Sequence, residues 1–216
     1  MKILLFDLDG TLMNTLQDIT DSVNYAMREM NFPPRTPEEV RLAVGNGVVK
    51  LMENLLPDEN GETIEKILGI FRPYYALHAS DKSRPYEGLP AVLEQLQAKG
   101  YVCGIVSNKP DEATSEIGKT FFPSFPLALG QREDIPRKPN AAPIEFALNT
   151  LGGTKADCIY IGDSEVDVKT AQNAGVSCIG VTWGFRDEAV LVEAGAKHLA
   201  HTPEELYEKI REIFQS

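Results

Sequence analysis

The sequence has no long apolar segment and few cysteines, and each absence excludes a class of protein. Residues 1–6 hold one lysine and a four-residue apolar run, which is too short for a secretory signal or a membrane span. The three cysteines, Cys103, Cys158 and Cys178, are odd in number and far apart, which favours reduced thiols over a disulfide framework. We therefore expect a cytoplasmic protein that has no membrane partner.

Basic residues are also scarce, since 21 Lys and Arg against 32 Asp and Glu give a formal net charge of -11. A protein that binds the phosphate backbone of a nucleic acid needs a basic face, so we expect no nucleic-acid partner. A small anionic substrate is still compatible with this charge, because a metal ion and one or two cationic side chains can reverse its sign locally.

The order of the apolar patterns predicts an α/β fold. The 216 residues are 43% hydrophobic and 25% charged, as in soluble proteins with a packed core. Apolar runs with β-branched or aromatic residues predict buried strands at residues 3–6, 101–106, 127–129, 158–161 and 178–181. Stretches of helical spacing alternate with these strands, which favours a parallel sheet with helices on both faces.

Residues 14–83 break this alternation, because they show only helical periodicity. Four helices are predicted there, near residues 16–30, 38–44, 48–55 and 62–79. The sequence therefore predicts an all-helical cap domain of residues 14–83, inserted into a catalytic core of residues 1–13 and 84–216.

Asp7 and Asp9 follow the first predicted strand, at the edge where open parallel sheets bind their ligands. In a loop, this spacing can offer one carboxylate and one backbone carbonyl to a shared cation, and Gly10 allows a sharp turn. Two close carboxylates can also take different catalytic roles, with Asp7 as nucleophile and Asp9 as general acid and base. Taken alone, the pair is explained better by a loop with two solvated acids that help to cap a helix.

A second acidic cluster, Asp163 and Asp167, follows the predicted strand 158–161. Their i, i+4 spacing places both on one face of a first helical turn, where the helix dipole favours acids in any case. Together with Asp7 and Asp9, they predict an oxygen-only site for a hard divalent cation, which suits Mg²⁺.

Two further segments supply groups for an anion. Ser107 and Asn108 follow the strand 101–106 and precede Pro110, so a hydroxyl, an amide and free backbone N–H groups can form a pocket for phosphoryl oxygens. Simple helix capping by Ser107 is the alternative. Lys138 lies between Arg137 and Pro139 in a loop, where a single lysine is usually only solvated.

The order of these four clusters along the chain resembles that of the haloacid dehalogenase-like superfamily of phosphotransferases. The four motifs of that family are matched by residues 7–11, by Ser107, by Lys138 and by residues 162–167. The resemblance implies a Rossmann-like sheet of strand order 5-4-1-2-3 with a helical cap inserted after the first motif. Ser107 stands where threonine is frequent, but the hydroxyl is kept.

The resemblance also implies roles for the site residues. Asp7 would form an aspartyl-phosphate, while Asp9 would protonate the leaving alcohol and later activate water. The Asp7 carboxylate, the Asp9 backbone carbonyl and Asp163 would hold Mg²⁺, and Asp167 would support them without contacting the ion. The phosphoryl group would be bound by Ser107, Asn108 and Lys138.

Within the superfamily, residues 44–47, 85–88 and 138–143 resemble phosphoglycolate phosphatases. This favours an enzyme that hydrolyses a small phosphorylated metabolite, with 2-phosphoglycolate the leading candidate. A pyrophosphatase or a sugar-phosphate mutase of the same superfamily is the alternative, followed by a non-catalytic metal-dependent binding protein. The sequence does not predict an oligomeric state.

Overall fold

The computed structural model describes residues 1–215 and contains a six-stranded parallel sheet. Its strands are β1 (Ile3–Phe6), β4 (Val102–Pro110), β5 (Leu127–Gln131), β6 (Cys158–Gly162), β7 (Ser177–Val181) and β8 (His198–Ala200). They lie in the order β5-β4-β1-β6-β7-β8. The five predicted strands lie in the order β7-β6-β1-β4-β5, which confirms the predicted 5-4-1-2-3 order. The edge strand β8 was not predicted, because its three residues are too few to show a period.

Helices cover both faces of this sheet, as the alternation predicted. On one face, Leu4 and Phe6 of β1 pack with α5 (Leu89–Ala98), α6 (Asp111–Phe121) and α10 (Pro203–Gln215). On the other face, Ile3 and Leu5 pack with α7 (Ala142–Leu151) and α8 (Glu165–Ala174). A short helix, α9 (Glu188–Glu193), precedes β8. Because β1 is buried on both sides, its residues form one continuous apolar run.

Four helices lie between the first strand and the rest of the sheet, and we call them the cap. They are α1 (Leu16–Glu29), α2 (Pro37–Ala43), α3 (Gly47–Leu55) and α4 (Gly61–His78), with ends within one residue of the predicted ones. They enclose a hydrophobic cluster of their own. The exact domain limits, residues 14 and 83, stay a prediction.

The chain passes between core and cap at one place. There β2 (Met13–Asn14) and β3 (Arg84–Pro85) pair antiparallel. Beside this ribbon, the buried carboxylate of Asp18 on α1 accepts hydrogen bonds from the backbone N–H groups of Lys82 and Ser83, at 3.0 and 2.7 Å. The first helix of the cap is thus tied to the segment that returns to the core.

Within residues 1–215, no helix combines the length and the apolar character needed to cross a membrane.

Candidate active site

The register of the sheet brings the predicted motifs together. Phe6, the last residue of β1, lies opposite Ile105 in β4 and Ile161 in β6. The residues that follow these three positions therefore emerge side by side at the carboxyl edge of the sheet. Five of the predicted site residues line a single cavity there, namely Asp7, Asp9, Ser107, Asn108 and Asp163. Lys138 and Asp167 are buried next to them.

Three of the carboxylates form a compact buried cluster. Oxygen atoms of Asp7, Asp163 and Asp167 lie within 4.8 Å of one another. The Nζ atom of Lys138, whose side chain is 2% exposed, lies 3.0 Å from Asp7 Oδ1 and 2.7 Å from Asp167 Oδ1. Three carboxylates against one ammonium leave two negative charges uncompensated, which is the charge that one divalent cation neutralises.

The oxygens of Asp167 are already used by the protein. Its Oδ2 accepts from the backbone N–H and the hydroxyl of Ser164, which closes a capping box at the start of α8. Its Oδ1 accepts from Lys138 and from the hydroxyl of Tyr160, at 2.7 and 3.2 Å. Asp7 is less fully occupied, because its buried Oδ1 is ion-paired with Lys138 at 3.0 Å and no backbone N–H group among residues 1–215 donates to it. The donor set therefore fits a hard cation bound between Asp7 and Asp163, with Asp167 behind them.

Asp163 is held in place by backbone that approaches it closely. Its Oδ1 accepts from the hydroxyl of Thr11 at 2.8 Å, and its Oδ2 accepts from the backbone N–H of Phe185 at 2.7 Å. A Cβ atom added to Gly10, which has a φ of 84°, would lie 2.3 Å from Asp163 Oδ2. A Cβ atom added to Gly184 would lie 2.3 Å from the Cβ of Asp163. Both positions need glycine because a side chain there would displace the carboxylate.

The environment shifts the pKa values of the two metal-facing acids upward. Burial raises the pKa of Asp7 to about 6, with Lys138 opposing this rise and Asp167 and Asp9 adding to it. Burial also raises the pKa of Asp163 to about 8, and the neighbouring carboxylates Asp167 and Asp7 add to this effect. Without a cation, the folded protein therefore retains protons at this site that a solvated carboxyl would release.

Asp9 has different surroundings. Its Oδ1 accepts from the Thr15 hydroxyl at 2.7 Å and from the Nζ atom of Lys109 at 2.9 Å. Among the hydrogen bonds of residues 1–215, none involves its Oδ2. Lys109 directly follows Ser107 and Asn108, but its local pattern does not distinguish it from other lysines near a helix start.

The side chain of Asn108 binds protein groups. Its Oδ1 accepts from the backbone N–H of Lys138, and its Nδ2 donates to the carbonyl oxygens of Lys138 and Gly45. Asn108 thus fixes the loop that carries the buried lysine and contacts the cap. The hydroxyl of Ser107, which lines the cavity, accepts from the backbone N–H of Lys109 at 3.4 Å. Phosphate binding by Ser107, Asn108 and Lys138 stays a prediction.

The cap closes the other side of the cavity, and two arginines fasten it. Arg186 of the core donates to the carbonyl oxygens of Arg41 and Val44 at the end of α2, at 2.7 and 2.6 Å. In return, Arg41 of the cap donates to the carbonyl oxygen of Phe185. Phe185 and Arg186 also line the cavity.

The closed cavity is small. Its volume is about 50 Å³, room for on the order of four water molecules at roughly 10–15 Å³ each. Apolar cap residues form its outer wall, including Val44, Val48, Leu51, Phe71 and Tyr75. The spacing of four residues between Phe71 and Tyr75 on α4 shows that both share a face of the helix, but not that this face covers the catalytic edge.

Comparison with known proteins gives this arrangement a family context. The family model for haloacid dehalogenase-like hydrolases matches residues 4–181. A phosphoglycolate phosphatase of Haemophilus influenzae is 32% identical over 204 residues, which cover 89% of this chain and 91% of that protein. A phosphoglycolate phosphatase of Aquifex aeolicus is 30% identical over 187 residues and covers 86% of each chain.

The similarity extends to solved structures. A protein of Lactobacillus delbrueckii subsp. bulgaricus, provisionally assigned as a phosphoglycolate phosphatase, is 33% identical and superposes with a TM-score of 0.92. The match covers 97% of this chain and 98% of that one, so it includes the cap as well as the core.

Proposed function

Because the chain belongs to the haloacid dehalogenase-like hydrolase family and is a phosphatase, we propose that it hydrolyses a small phosphomonoester through an aspartyl-phosphate on Asp7. One observation carries this proposal: Asp7, whose Oδ1 faces the ammonium of Lys138 at 3.0 Å, lies in a buried cluster that carries two uncompensated negative charges. The phosphatase relatives set aside the alternative of a non-catalytic binding protein.

We assign Mg²⁺ as the cofactor of this site. The Asp7 and Asp163 carboxylates and the backbone carbonyl of Asp9 would hold the ion. When bound, Mg²⁺ supplies positive charge that offsets the negative charge of the phosphoryl oxygens. The oxygen-only donor set and the buried acidic cluster support a hard divalent cation.

The side chains divide the reaction into two displacements. A carboxylate oxygen of Asp7 attacks phosphorus, the ester P–O bond breaks, and Asp9 gives its proton to the departing alcohol oxygen. In the second step, Asp9 takes a proton from water while the water oxygen attacks phosphorus, which releases inorganic phosphate and restores Asp7. Lys138 and Ser107 hold the phosphoryl oxygens, since phosphoryl transfer depends mainly on positioning and charge neutralisation.

The leading substrate candidate is 2-phosphoglycolate. The names of the relatives and the small cavity both support a substrate with few atoms beyond the phosphoryl group. Pyrophosphate and a hexose phosphate are the comparison substrates, because they represent the alternatives that the sequence left open. The order of kcat/KM values across the three distinguishes these activities. A cytoplasmic location stays a prediction from the sequence.

The role of Asp7 is tested by Asp7→Asn. We expect phosphate release from 2-phosphoglycolate to fall by at least about 10⁴-fold, since loss of a nucleophile removes the covalent route. Asp58→Asn, an exposed position in the cap, is the matched control and should keep full activity. Trapping by beryllium fluoride should also be lost in Asp7→Asn. Near-normal turnover in a preparation free of deamidation would show that another group is the nucleophile.

A further inference from the structure

Two buried side chains, those of Tyr75 and Lys109, and the partly buried Asp9 form a chain of contacts from the cap to the catalytic edge. The hydroxyl of Tyr75, on cap helix α4, is in hydrogen-bond contact with the Nζ atom of Lys109. The same Nζ atom lies 2.9 Å from Asp9 Oδ1. Tyr75 and Lys109 are each 4% exposed. The contacts therefore lie inside the closed cavity and join two elements, α4 and β4, that are far apart in sequence.

The charge of Lys109 is well supported at this position. The carboxylate of Asp9 compensates this charge, because its Oδ1 lies 2.9 Å from the ammonium group. Its Nζ atom also lies 4.7 Å from the centre of the Tyr75 ring, so the ring face adds a cation–π contact. A lysine confined by a carboxylate, a hydroxyl and an aromatic ring has little rotational freedom left. It is therefore able to fix the partner that it contacts.

That partner is a group for which orientation matters. A general acid must place one oxygen within hydrogen-bond reach of the departing atom. Lys109 and Thr15 both contact Oδ1 of Asp9, so this oxygen is fixed and Oδ2 is left for proton exchange. Thr15 lies at the start of the cap segment and holds Asp9 locally, whereas Lys109 connects Asp9 to a helix on the far side of the cavity.

We propose that Lys109 and Tyr75 are positioning residues for Asp9: with the cap closed, Tyr75 fixes Lys109, and Lys109 fixes the acid–base carboxylate. This inference rests on the proposed function, since it assumes that Asp9 transfers the proton. It makes the acid–base step sensitive to a cap residue that never touches the departing atom. Opening of the cap would break the contact with Tyr75 and loosen Asp9.

The test uses three substrates that separate positioning from direct substrate binding. 2-Phosphoglycolate has a poor, alkyl leaving group and a second anionic group. 2-Hydroxyethyl phosphate keeps the alkyl leaving group but lacks the second anion. 4-Nitrophenyl phosphate has a leaving group that departs without protonation. Single-turnover release of the alcohol or phenol measures the first displacement alone, and Asp9→Asn gives the reference pattern for loss of the acid.

We expect Lys109→Met to slow alcohol release from both alkyl esters at least about tenfold more than nitrophenol release, as does Asp9→Asn. Tyr75→Phe should also slow alcohol release more than nitrophenol release, but by a smaller factor than Lys109→Met. Its KM should stay within about threefold of wild type. Lys109→Arg, which keeps the charge, should recover part of the loss. Tyr74→Phe, at a half-buried position where Tyr74 stacks on Tyr25 of α1, is the matched control and should behave as wild type.

Other patterns overturn the inference. A loss confined to 2-phosphoglycolate and expressed in KM would mean that Lys109 binds the second anion directly. Equal losses on all three substrates, with a lower melting temperature, would mean a structural role only. If Asp9→Asn itself shows no preference between alkyl and aryl esters, the proposed function fails at Asp9. If Asp9→Asn shows that preference and the Lys109 and Tyr75 variants do not, only the present inference fails.

Discussion

The uncompensated charge of the acidic cluster predicts that Asp163→Asn stabilises the protein when no metal is present. In the wild type, the pKa of Asp163 rises from its usual 3.8 to about 8, because burial and two neighbouring carboxylates oppose ionisation. One pKa unit corresponds to about 1.4 kcal/mol, so ionising Asp163 in the folded protein costs on the order of 5 kcal/mol. Asparagine removes this cost. It can accept from the backbone of Phe185 and donate to the hydroxyl of Thr11.

The sign of the pH dependence follows from linkage. The folded pKa of Asp163 lies above the unfolded value, so the metal-free wild type loses stability as pH rises from about 4 to about 8. Asp7 adds to this loss up to about pH 6. The gain from Asp163→Asn should therefore be largest near pH 8 and vanish near pH 4. With Mg²⁺ this gain should shrink by about half near pH 8, because a ligand at 100 times its Kd stabilises the wild type by about 2.7 kcal/mol.

Urea unfolding followed by circular dichroism, with EDTA or with Mg²⁺, measures both effects. Asp134→Asn, at an exposed position outside the cluster, is the control and should show neither. The reasoning is refuted if Asp163→Asn is no more stable than wild type in EDTA near pH 8. It is also refuted if the gain is as large near pH 5, because the effect would then not depend on ionisation.

Two further predictions concern the backbone near Asp163 and the fastening of the cap. Gly184→Ala places a Cβ against Asp163, so we expect a loss of about 1–3 kcal/mol in unfolding free energy and weaker Mg²⁺ binding. Gly69→Ala, with open space around it on α4, should gain up to about 1 kcal/mol, and equal urea midpoints would contradict this contrast. Arg186→Met removes charged hydrogen bonds worth about 1.5–3 kcal/mol each, so kcat/KM should fall at least about tenfold. Arg28→Met, exposed on α1, should leave kcat/KM unchanged, and a similar value for both arginine variants would exclude a role for the cap contacts.

The sequence predicted the core of the fold because its strands are strongly apolar and separated by clear helical periods. The convergence of Asp7, Ser107 and Asp163 followed from that fold, since neighbouring parallel strands end at one edge of the sheet. The places of these three residues at the sheet edge follow from the local apolar pattern of each strand and from the order of the strands. The roles of these residues in catalysis are still predictions that the experiments above address.

The remaining parts of the site depend on how the cap docks, which no local pattern reveals. Lys109 looked like any lysine near a helix start, and only the position of α4 brings Tyr75 onto it. Arg186 meets carbonyl oxygens at the end of α2, and a backbone acceptor leaves no mark in the sequence. Asn108 was expected in the anion pocket because of its amide, but the geometry of the loop decides which groups that amide bonds.

The paired crossings at β2 and β3 have a consequence for how this enzyme can diversify. Both covalent joints of the cap lie next to each other, where Met13 pairs with Pro85 and Asn14 with Arg84. Because the two ends of the insert are adjacent, the distance between its attachment points in the core does not depend on the size of the insert. Domains tolerate insertions best at such places. Mutation can therefore reshape or lengthen the helical insert while the register of β1 with its neighbours stays the same. The apolar cap wall of the cavity can therefore change while the carboxylates at the sheet edge keep their positions.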